Sequence, residues 1–568
     1  MIVADYIALF LKNRGVNKVF AIQGGGSARL IDGIGRLDGI EYICNQHEQA
    51  SAMSADGYAR ATGHLACAIS TSGPGATNLL TGCCGAYFDS IPILFITGQV
   101  SSFRLKKNLH VRCMHTQETD VVDIFKPVTK YATALKNPFD IRYELEKCAY
   151  IAESGRPGPV LLDIPDDYQR VEIEVDKLKG FCVEEETKNI NEILLEERFE
   201  IFKSLVSSSK KPVVIAGWGC HVSHSESQFF DFVEKCGMPV VCTWGGNDLL
   251  PNNSVYKIGA IGMNGDLAAN YAVKEADLLI VLGARLDHHS IVVGLKDFGR
   301  NAKKIYIDID AEEIQKFNEL GCNLDLTFNI DICNFLDFVN KSEFVFEKKH
   351  QGWIEELFNV KNKNIGGVTV DRPKDSKVNP CFFYTTLSEL LEDKALIFAD
   401  TGSSLVWAEQ YFKFKKGQRM HSSFNNTPMG YSLPAAVGGA LATGGRVYSI
   451  NGDGGIQMNL QELATVARHN LDLKIILFDN AGYGMVQRTQ DTYLNGRYEG
   501  TDVPSGLAFP DFEKLFEVYG FSVVVIESDT ECHKKLMNAL EINGPGCIIV
   551  KVSLNEGYET FKEDYFLS

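Results

Sequence analysis

Basic residues are the scarcer sign of charge: 56 Lys and Arg stand against 73 Asp and Glu in 568 residues, a formal net charge of −17. A surface that wraps nucleic acid neutralises phosphates with clustered Lys and Arg, so this excess of acid argues against a nucleic-acid partner. No apolar run approaches the ~20 residues that span a bilayer, which argues against a membrane protein. The opening stretch MIVADYIALFLKNRG carries Asp5 early and reads as an amphipathic helix, not a basic, apolar, cleavable leader, so a cytoplasmic location is expected. The 15 cysteines, an odd number, include no C-x-x-C pair, and most sit in apolar or helical surroundings, as do Cys67, Cys148 and Cys242. They read as reduced core residues, with no disulfide framework and no zinc site. Cys83 and Cys84 adjoin each other without a flanking His to generate a thiolate, and neither is given a redox role. Low-complexity tracts and short repeats are absent too.

What is present is the balance of a globular protein, 45% hydrophobic and 23% charged. At roughly 150 residues per domain, the length suggests three or four domains. Strand-like runs alternate with helix-like ones: VFAIQ, YICNQ, ACAIS, PILFITG and PVLLDIP form a first block, expected over 1–165. A charged stretch from 166 to about 190 loses the periodicity, as a linker would. PVVIAG, PVVCTW, LLIVLG and KIYIDID mark a second block, 190–340. A Lys-rich passage over about 341–375 leads to a third block, 376–555, with ALIFAD, RVYSING, LKIILFD and CIIVKVS. The expected fold class is α/β, three domains each built on a doubly wound parallel sheet.

The most specific motif lies in the third block. A strand runs into Asn451-Gly452-Asp453-Gly454-Gly455, a helix follows with Asn459 and Glu462 spaced as a capping box, and the next strand runs into Asp479-Asn480-Ala481-Gly482-Tyr483-Gly484. In a right-handed βαβ unit both loops fall at the carboxyl edge of the sheet, where ligands bind, so Asp453 and Asn480 should meet. A carboxylate, an amide oxygen and a backbone carbonyl are three hard ligands of the kind Mg²⁺ takes while keeping its other positions for phosphate and water. The glycines would let main-chain N–H groups approach a diphosphate. In the first block, Glu48 opens a helix of small residues, ASAMSADGYARA, which can pack closely and bury the carboxylate against a heteroaromatic nitrogen. The loop Ser70-Thr71-Ser72-Gly73-Pro74-Gly75 and the run Gly24-Gly25-Gly26 are strand-to-helix turns open to a ligand or to plain chain reversal. Gly217-Trp218-Gly219 is a weak dinucleotide echo, since the full G-x-G-x-x-G pattern is missing.

Together these motifs resemble the thiamine-diphosphate (ThDP) enzymes of the pyruvate decarboxylase and acetohydroxyacid synthase group. The resemblance spans nearly the whole chain. HEQASAMSADGYARATG, TSGPGATNLLTG, AYFDSIPILFITGQV, QETD, GRPGPVLLDIP, MGYSLPAAVGGA and GDGGIQMNLQELATV look most like the acetolactate synthase branch. It implies that Asp453, Asn480 and the Gly482 carbonyl hold Mg²⁺. The diphosphate and thiazolium would be met by Gly402, Ser403, Ser404, Thr427, Met429, Gly452, Gly454, Gly455, Gly484 and Met485, with Thr71 and Pro74 on the facing loop. Met429 would be the bulky residue that bends the cofactor. Glu48, acting on the cofactor of the other subunit, would shift its aminopyrimidine to the imino tautomer, with Gln117 beside it as a second catalytic residue. The expected assembly is therefore a homodimer or homotetramer. Pyruvate is the expected donor; ThDP supplies the electron sink for its decarboxylation. The branch also carries FAD, which Arg156, Gly217, Gly262, Asn264, Gly283, Arg285 and Asp308 would contact.

Three positions depart from acetolactate synthase in the acceptor pocket. Its Phe-Gln-Glu reads Thr116-Gln117-Glu118, its Arg-Phe-Asp-Asp-Arg reads Arg285-Leu286-Asp287-His288-His289, and its Gln-Trp-Gln reads Arg488-Thr489-Gln490. With Gly25, the positions Thr116, His289 and Thr489 would form the acceptor pocket. Losing a Phe and a Trp frees space, and losing an Arg removes a bidentate carboxylate clamp. The expected acceptor is a bulky ketone without a carboxylate, with branched-sugar carboligases of the yersiniose type, acting on a nucleotide-linked 4-keto-deoxysugar, as precedent. Acetolactate synthesis from two pyruvates is the alternative; a simple decarboxylase or FAD-coupled oxidase is the third.

Overall fold

The computed structural model describes residues 1–106, 109–183, 192–365 and 377–561. Three six-stranded parallel sheets organise them. The first contains β1 (Lys18–Ala21), β2 (Glu41–Cys44), β3 (Ala66–Ser70), β4 (Ile93–Gln99), β5 (Tyr131–Ala134) and β6 (Val160–Pro165), in the order β2-β1-β3-β4-β6-β5. The second contains β7 (Pro212–Ala216), β8 (Val240–Cys242), β9 (Lys257–Ala260), β10 (Leu278–Leu282), β11 (Lys303–Asp308) and β12 (Leu326–Asn329), ordered β12-β11-β10-β7-β8-β9. In the third, β13 (Leu396–Ala399), β14 (Arg419–His421), β15 (Val447–Gly452), β16 (Leu473–Asp479), β17 (Ser522–Ile526) and β18 (Gly546–Lys551) run β14-β13-β15-β16-β18-β17.

Numbered from its own first strand, the first sheet reads 2-1-3-4-6-5, and so does the third. The middle sheet reads 3-2-1-4-5-6 from its β9 edge, the strand order of dinucleotide-binding sheets. The chain divides into two compact units. One comprises the described parts of Met1–Glu184 with Ala395–Ser404 and Met420–Leu554; the other comprises those of Glu185–Lys394, Leu405–Arg419 and Asn555–Ser568.

In the first unit the small residues of helix Glu48–Thr62 do what their size allows. The helix lies against helix Ser432–Thr443 so closely that a Cβ on Gly57 would stand 2.0 Å from the Ala435 carbonyl oxygen, and one on Gly438 1.9 Å from that of Ser54. Ser54 Oγ donates to the Pro434 carbonyl at 2.9 Å across the same seam. Met53 reaches into the core of the third sheet beside Leu433, Val437 and Ile456.

The structure corrects the sequence reading in three places. Strands β5, β9, β12, β14 and β17 escape it, and each lies at a sheet edge, where one flank lacks a neighbour and the apolar run is weaker; β5 is half-buried along its whole length. The stretch after 166 holds a short helix, Asp166–Gln169, and the charged passage after 341 holds helix Gln351–Ile365, with Trp353 and Leu357 buried; residues 184–191 and 366–376 lie outside the described residues. The capping box does not form. Asn459 Nδ2 instead donates to the Gly430 carbonyl at 2.7 Å, and the Glu462 carboxylate accepts from Gln46 N–H at 2.7 Å and Asn45 Nδ2 at 3.0 Å. A tertiary acceptor for Asn459 and tertiary donors for Glu462 outcompete the helix's own end. All fifteen cysteines are free, and burial pushes the Cys67 and Cys148 thiols up, that of Cys242 to about 12.

Candidate active site

At the carboxyl edge of the third sheet, β15 delivers Asp453 and β16 delivers Asn480. Asp453 is 2% exposed, and its Oδ2 accepts the N–H groups of Asn480 at 3.0 Å and Ala481 at 2.6 Å. Asn480 Oδ1 in turn accepts the Gly482 N–H at 3.1 Å. Ala481 sits in the left-handed region at φ 57°, which turns the loop back over Asp453, and Tyr483 N–H secures the turn on the Thr501 carbonyl at 2.8 Å. The sequence reading that brings Asp453 and Asn480 together is thus met by two loops hydrogen-bonded to each other. Burial, and then the charge of Asp479, push the Asp453 carboxyl up to about 7, although the three N–H donors around it act the other way. Asp479 itself pairs with Lys551.

Space around this loop is distributed unevenly. A Cβ on Gly454 would stand 2.2 Å from the Tyr483 ring, and one on Gly455 2.3 Å from Asp400 Oδ2, so both glycines are needed for closure of the fold. Gly452 and Gly402 face nothing within 4 Å, and Gly402 has φ 108°, a conformation that favours glycine. The space beside each is open. Ser403 follows Gly402 at the start of helix Ser403–Tyr411, its Oγ 3.6 Å from the Cβ position of Gly484. Ser404 is buried, Met485 is half-buried, and Thr427 is exposed at φ 46°. The two loops offer a carboxylate, an amide oxygen and main-chain oxygens, all hard, of the kind that would suit Mg²⁺. Among the described residues no group of three His, Cys, Asp or Glu side chains is arranged to hold a metal.

A second cluster forms on the first sheet. Glu48 is the first residue of its helix, 9% exposed, and His47 caps it by accepting the Gln49 N–H on Nδ1 at 3.1 Å. Glu48 Oε2 accepts from Asn78 Nδ2 at 3.0 Å, while Oε1 lies 3.1 Å from the Cβ position of Gly75. Thr71 Oγ1 accepts the Gly26 N–H at 3.0 Å and its side chain blocks the Cβ positions of Gly24 and Gly75. Pro74 is exposed at the first position of helix Pro74–Asn78. Gln117, at φ 65°, presses its backbone on Gly73 at φ 61°, so each left-handed residue fixes the other, and Ser72 Oγ donates to Gln117 Oε1 at 3.5 Å. Glu48, Thr71, Pro74 and Gln117 thus lie on one cluster of loops. Gly25 is exposed with nothing near its Cβ position, and Thr116 is exposed beside Gln117. Thr489, on helix Gly484–Leu494, is exposed, with its Oγ1 3.4 Å from the Met485 carbonyl.

In the second unit, Gly217 and Gly219 press against Gly283 so tightly that a Cβ on either would fall within 2.7 Å of its backbone. Gly262, at φ 109°, does the same against the His289 carbonyl. Arg285 pairs with Asp287 at 3.1 Å, Asp308 Oδ1 accepts the Asp310 N–H at 3.0 Å, and Asn264 Nδ2 donates to the Glu559 carbonyl and Thr560 Oγ1. The His289 ring stands edge-on to Trp244, centroids 4.3 Å apart, and burial lowers its pKa, which disfavours the cationic form. In the first unit, Arg156 Nε donates to Ser90 Oγ at 2.8 Å.

Sequence reasoning missed Asp400. Fully buried after β13, it accepts the N–H groups of Gly430 and Tyr431, and burial pushes its carboxyl up to about 7. An acid closing an apolar strand, as in ALIFAD, is the signal that could have found it.

Comparison with known proteins agrees with this geometry. Residues 1–124 match the N-terminal TPP binding domain of thiamine pyrophosphate enzymes, 201–327 their central domain and 400–550 their C-terminal TPP binding domain. A probable acetolactate synthase large subunit of Methanocaldococcus jannaschii is 34% identical over 95% of this chain and 90% of its own length. The acetolactate synthase large subunit of Haemophilus influenzae is 32% identical over 98% and 95%, and the chloroplastic acetolactate synthase 1 of Nicotiana tabacum 32% over 97% and 82%. No helix among the described residues is long and apolar enough to cross a membrane. With two carboxyl-edge clusters suited to ThDP and Mg²⁺, and with relatives along its full length, the chain belongs to the thiamine pyrophosphate enzyme family, in the branch of the acetolactate synthases.

Proposed function

We propose that the chain is a ThDP- and Mg²⁺-dependent carboligase that decarboxylates pyruvate and joins the two-carbon unit to a second carbonyl compound. The observation that carries this reading is the Asp453–Asn480 loop pair beside the open faces of Gly452 and Gly402. Asp453, Asn480 and the Gly482 carbonyl hold Mg²⁺; Gly402, Ser403 and Gly452 receive the diphosphate. Bound ThDP supplies the electron sink that lets the carboxylate of a 2-keto acid leave as CO₂. Glu48 holds a proton against the pyrimidine nitrogen, and its bond from Asn78 fixes the carboxyl group for that role. Gln117, locked by Gly73, orients the acceptor. Glu48 serves the cofactor of a second subunit, which makes a homodimer or a tetramer of two such pairs the working form.

The relatives support a second pyruvate as acceptor, giving 2-acetolactate. A second reading, a bulky ketone such as a nucleotide-linked 4-keto-deoxysugar, is favoured by one observation: Thr116 and Thr489 are small and exposed, and the His289 ring stands edge-on to Trp244. Labelled pyruvate supplied alone, and then with keto sugars, separates the two. Acetolactate as the dominant product from pyruvate alone establishes the first; label in a two-carbon branch on the sugar, with little acetolactate, establishes the second. FAD in the middle domain is supported by the 3-2-1-4-5-6 strand order and by Asp308 at the carboxyl end of β11. A purified protein that carries no flavin and takes up none on reconstitution would reject it.

A further inference from the structure

Thr427 and Met429 stand in a segment held at both ends by buried acids. At its start, Asp89, the last residue of helix Leu80–Asp89 and 2% exposed, accepts the Phe424 N–H at 3.0 Å and Asn425 Nδ2 at 2.6 Å. Arg60 Nη2 donates to the same carboxylate at 2.7 Å, and Arg60 Nε to Asp56 Oδ1 at 2.6 Å. Tyr431 Oη closes the network by donating to Asp56, and Asp400 takes the Gly430 N–H at 2.8 Å at the far end. Between these anchors Thr427 is left-handed, its N–H on the Ser423 carbonyl at 3.0 Å, and Asn426 Nδ2 reaches the Thr81 carbonyl at 3.3 Å. The segment delivers Met429 Cε to 3.3 Å from the Cβ position of Gly454, directly on the Asp453 loop.

We infer that Asp89, a residue outside the cofactor site, is a positioning residue for ThDP: its carboxylate fixes the Phe424–Asn425 end of the segment and thereby sets where Thr427 and Met429 meet the cofactor. The inference rests on the ThDP site proposed above but not on the acceptor. Two buried carboxylates face one guanidinium here, so the set carries excess negative charge. Asp89→Asn removes that excess without changing shape, so the variant is expected to fold; replacing one partner in such a set is otherwise the costly step. An amide oxygen in the place of Oδ2 still serves Arg60 and the Phe424 N–H, but the amide N–H₂ in the place of Oδ1 meets Asn425 Nδ2 donor to donor, so the Asn425 end of the segment loses its charged anchor.

The test is ThDP titration of the full-length protein with Mg²⁺, read by quenching of intrinsic fluorescence, with the melting temperature of the cofactor-free protein measured alongside. Asp89→Asn should raise the dissociation constant for ThDP about tenfold, the worth of one charged hydrogen bond, while the cofactor-free melting temperature changes little and the KM for pyruvate at saturating ThDP is unaltered. An unchanged dissociation constant in soluble Asp89→Asn overturns the inference. Should that variant fail to fold, Asn425→Ala, which removes one half-buried amide, must weaken ThDP in the same sense; wild-type affinity in Asn425→Ala then overturns it. A wild-type protein that binds ThDP but makes no carboligation product overturns the proposed function and leaves this measurement readable.

Discussion

Glu48 and Asp453 share a chemistry, a buried carboxylate at the end of a strand, and differ in their neighbours. Asn78 Nδ2 donates to Glu48, whose first-turn position aims it off the sheet edge; Asp453 is wrapped by the N–H groups of the loop it binds. Their substitutions should therefore fail differently. Glu48→Gln keeps the shape and the Asn78 contact but cannot exchange a proton, so it should retain ThDP and lose roughly 10²-fold or more in turnover, measured as CO₂ release. Unchanged turnover would remove Glu48 from its role. Asp453→Ala should weaken Mg²⁺ and ThDP together, since the metal ties the diphosphate to the protein; ThDP retention at wild-type affinity in a dialysed sample would contradict the ligand assignment.

Among the elements, the seam between helices Glu48–Thr62 and Ser432–Thr443 is the most sensitive to size. Gly57→Ala would force a methyl into the Ala435 carbonyl, and backbone cannot yield as a side chain can, so a loss of about 2 kcal/mol or more is expected, read as a lower melting temperature. Inside the first sheet, Asp163 on β6 accepts from Thr97 Oγ1 at 2.6 Å and Gln99 Nε2 at 3.0 Å, yet burial pushes its carboxyl from 3.8 to about 7. Between those values the unfolded chain has released a proton that the folded chain keeps, so stability falls as pH rises from about 4 to about 7. Asp163→Asn should flatten that slope in denaturant titrations; an unchanged slope would show the group ionised in the fold. The elements were legible where they are buried on both faces: RVYSING and LKIILFD announce themselves because β15 and β16 are central. Edge strands such as YATA carry half the apolar signal and stay hidden. Asn459 and Glu462 show the other limit, since a local rule for helix ends holds only until a distant donor, here Gln46 N–H, offers a better bond.

For the whole molecule, the sequence reading of three α/β domains stands, and Asp453 meets the Asn480 loop because Gly-rich turns at the carboxyl ends of adjacent parallel strands converge by topology alone. What it did not reveal is the frame behind them: Asp400, Asp89 and Arg60 lie far apart along the chain and meet around one segment, a relation that no local spacing encodes. The first and third sheets share one strand order, so a single supersecondary plan, used twice, presents a carboxylate on a helix start in one copy and the Asp453–Asn480 loop pair in the other. The central claim, that these two presentations serve one ThDP-dependent bond-forming reaction, is tested most directly by incubating the protein with labelled pyruvate with and without ThDP and Mg²⁺ and identifying the labelled products by mass spectrometry. The account predicts CO₂ release that requires both cofactors, with the label appearing in a product that contains a new carbon–carbon bond. Labelled acetaldehyde or acetate as the sole product, or CO₂ release that does not need ThDP, would contradict it.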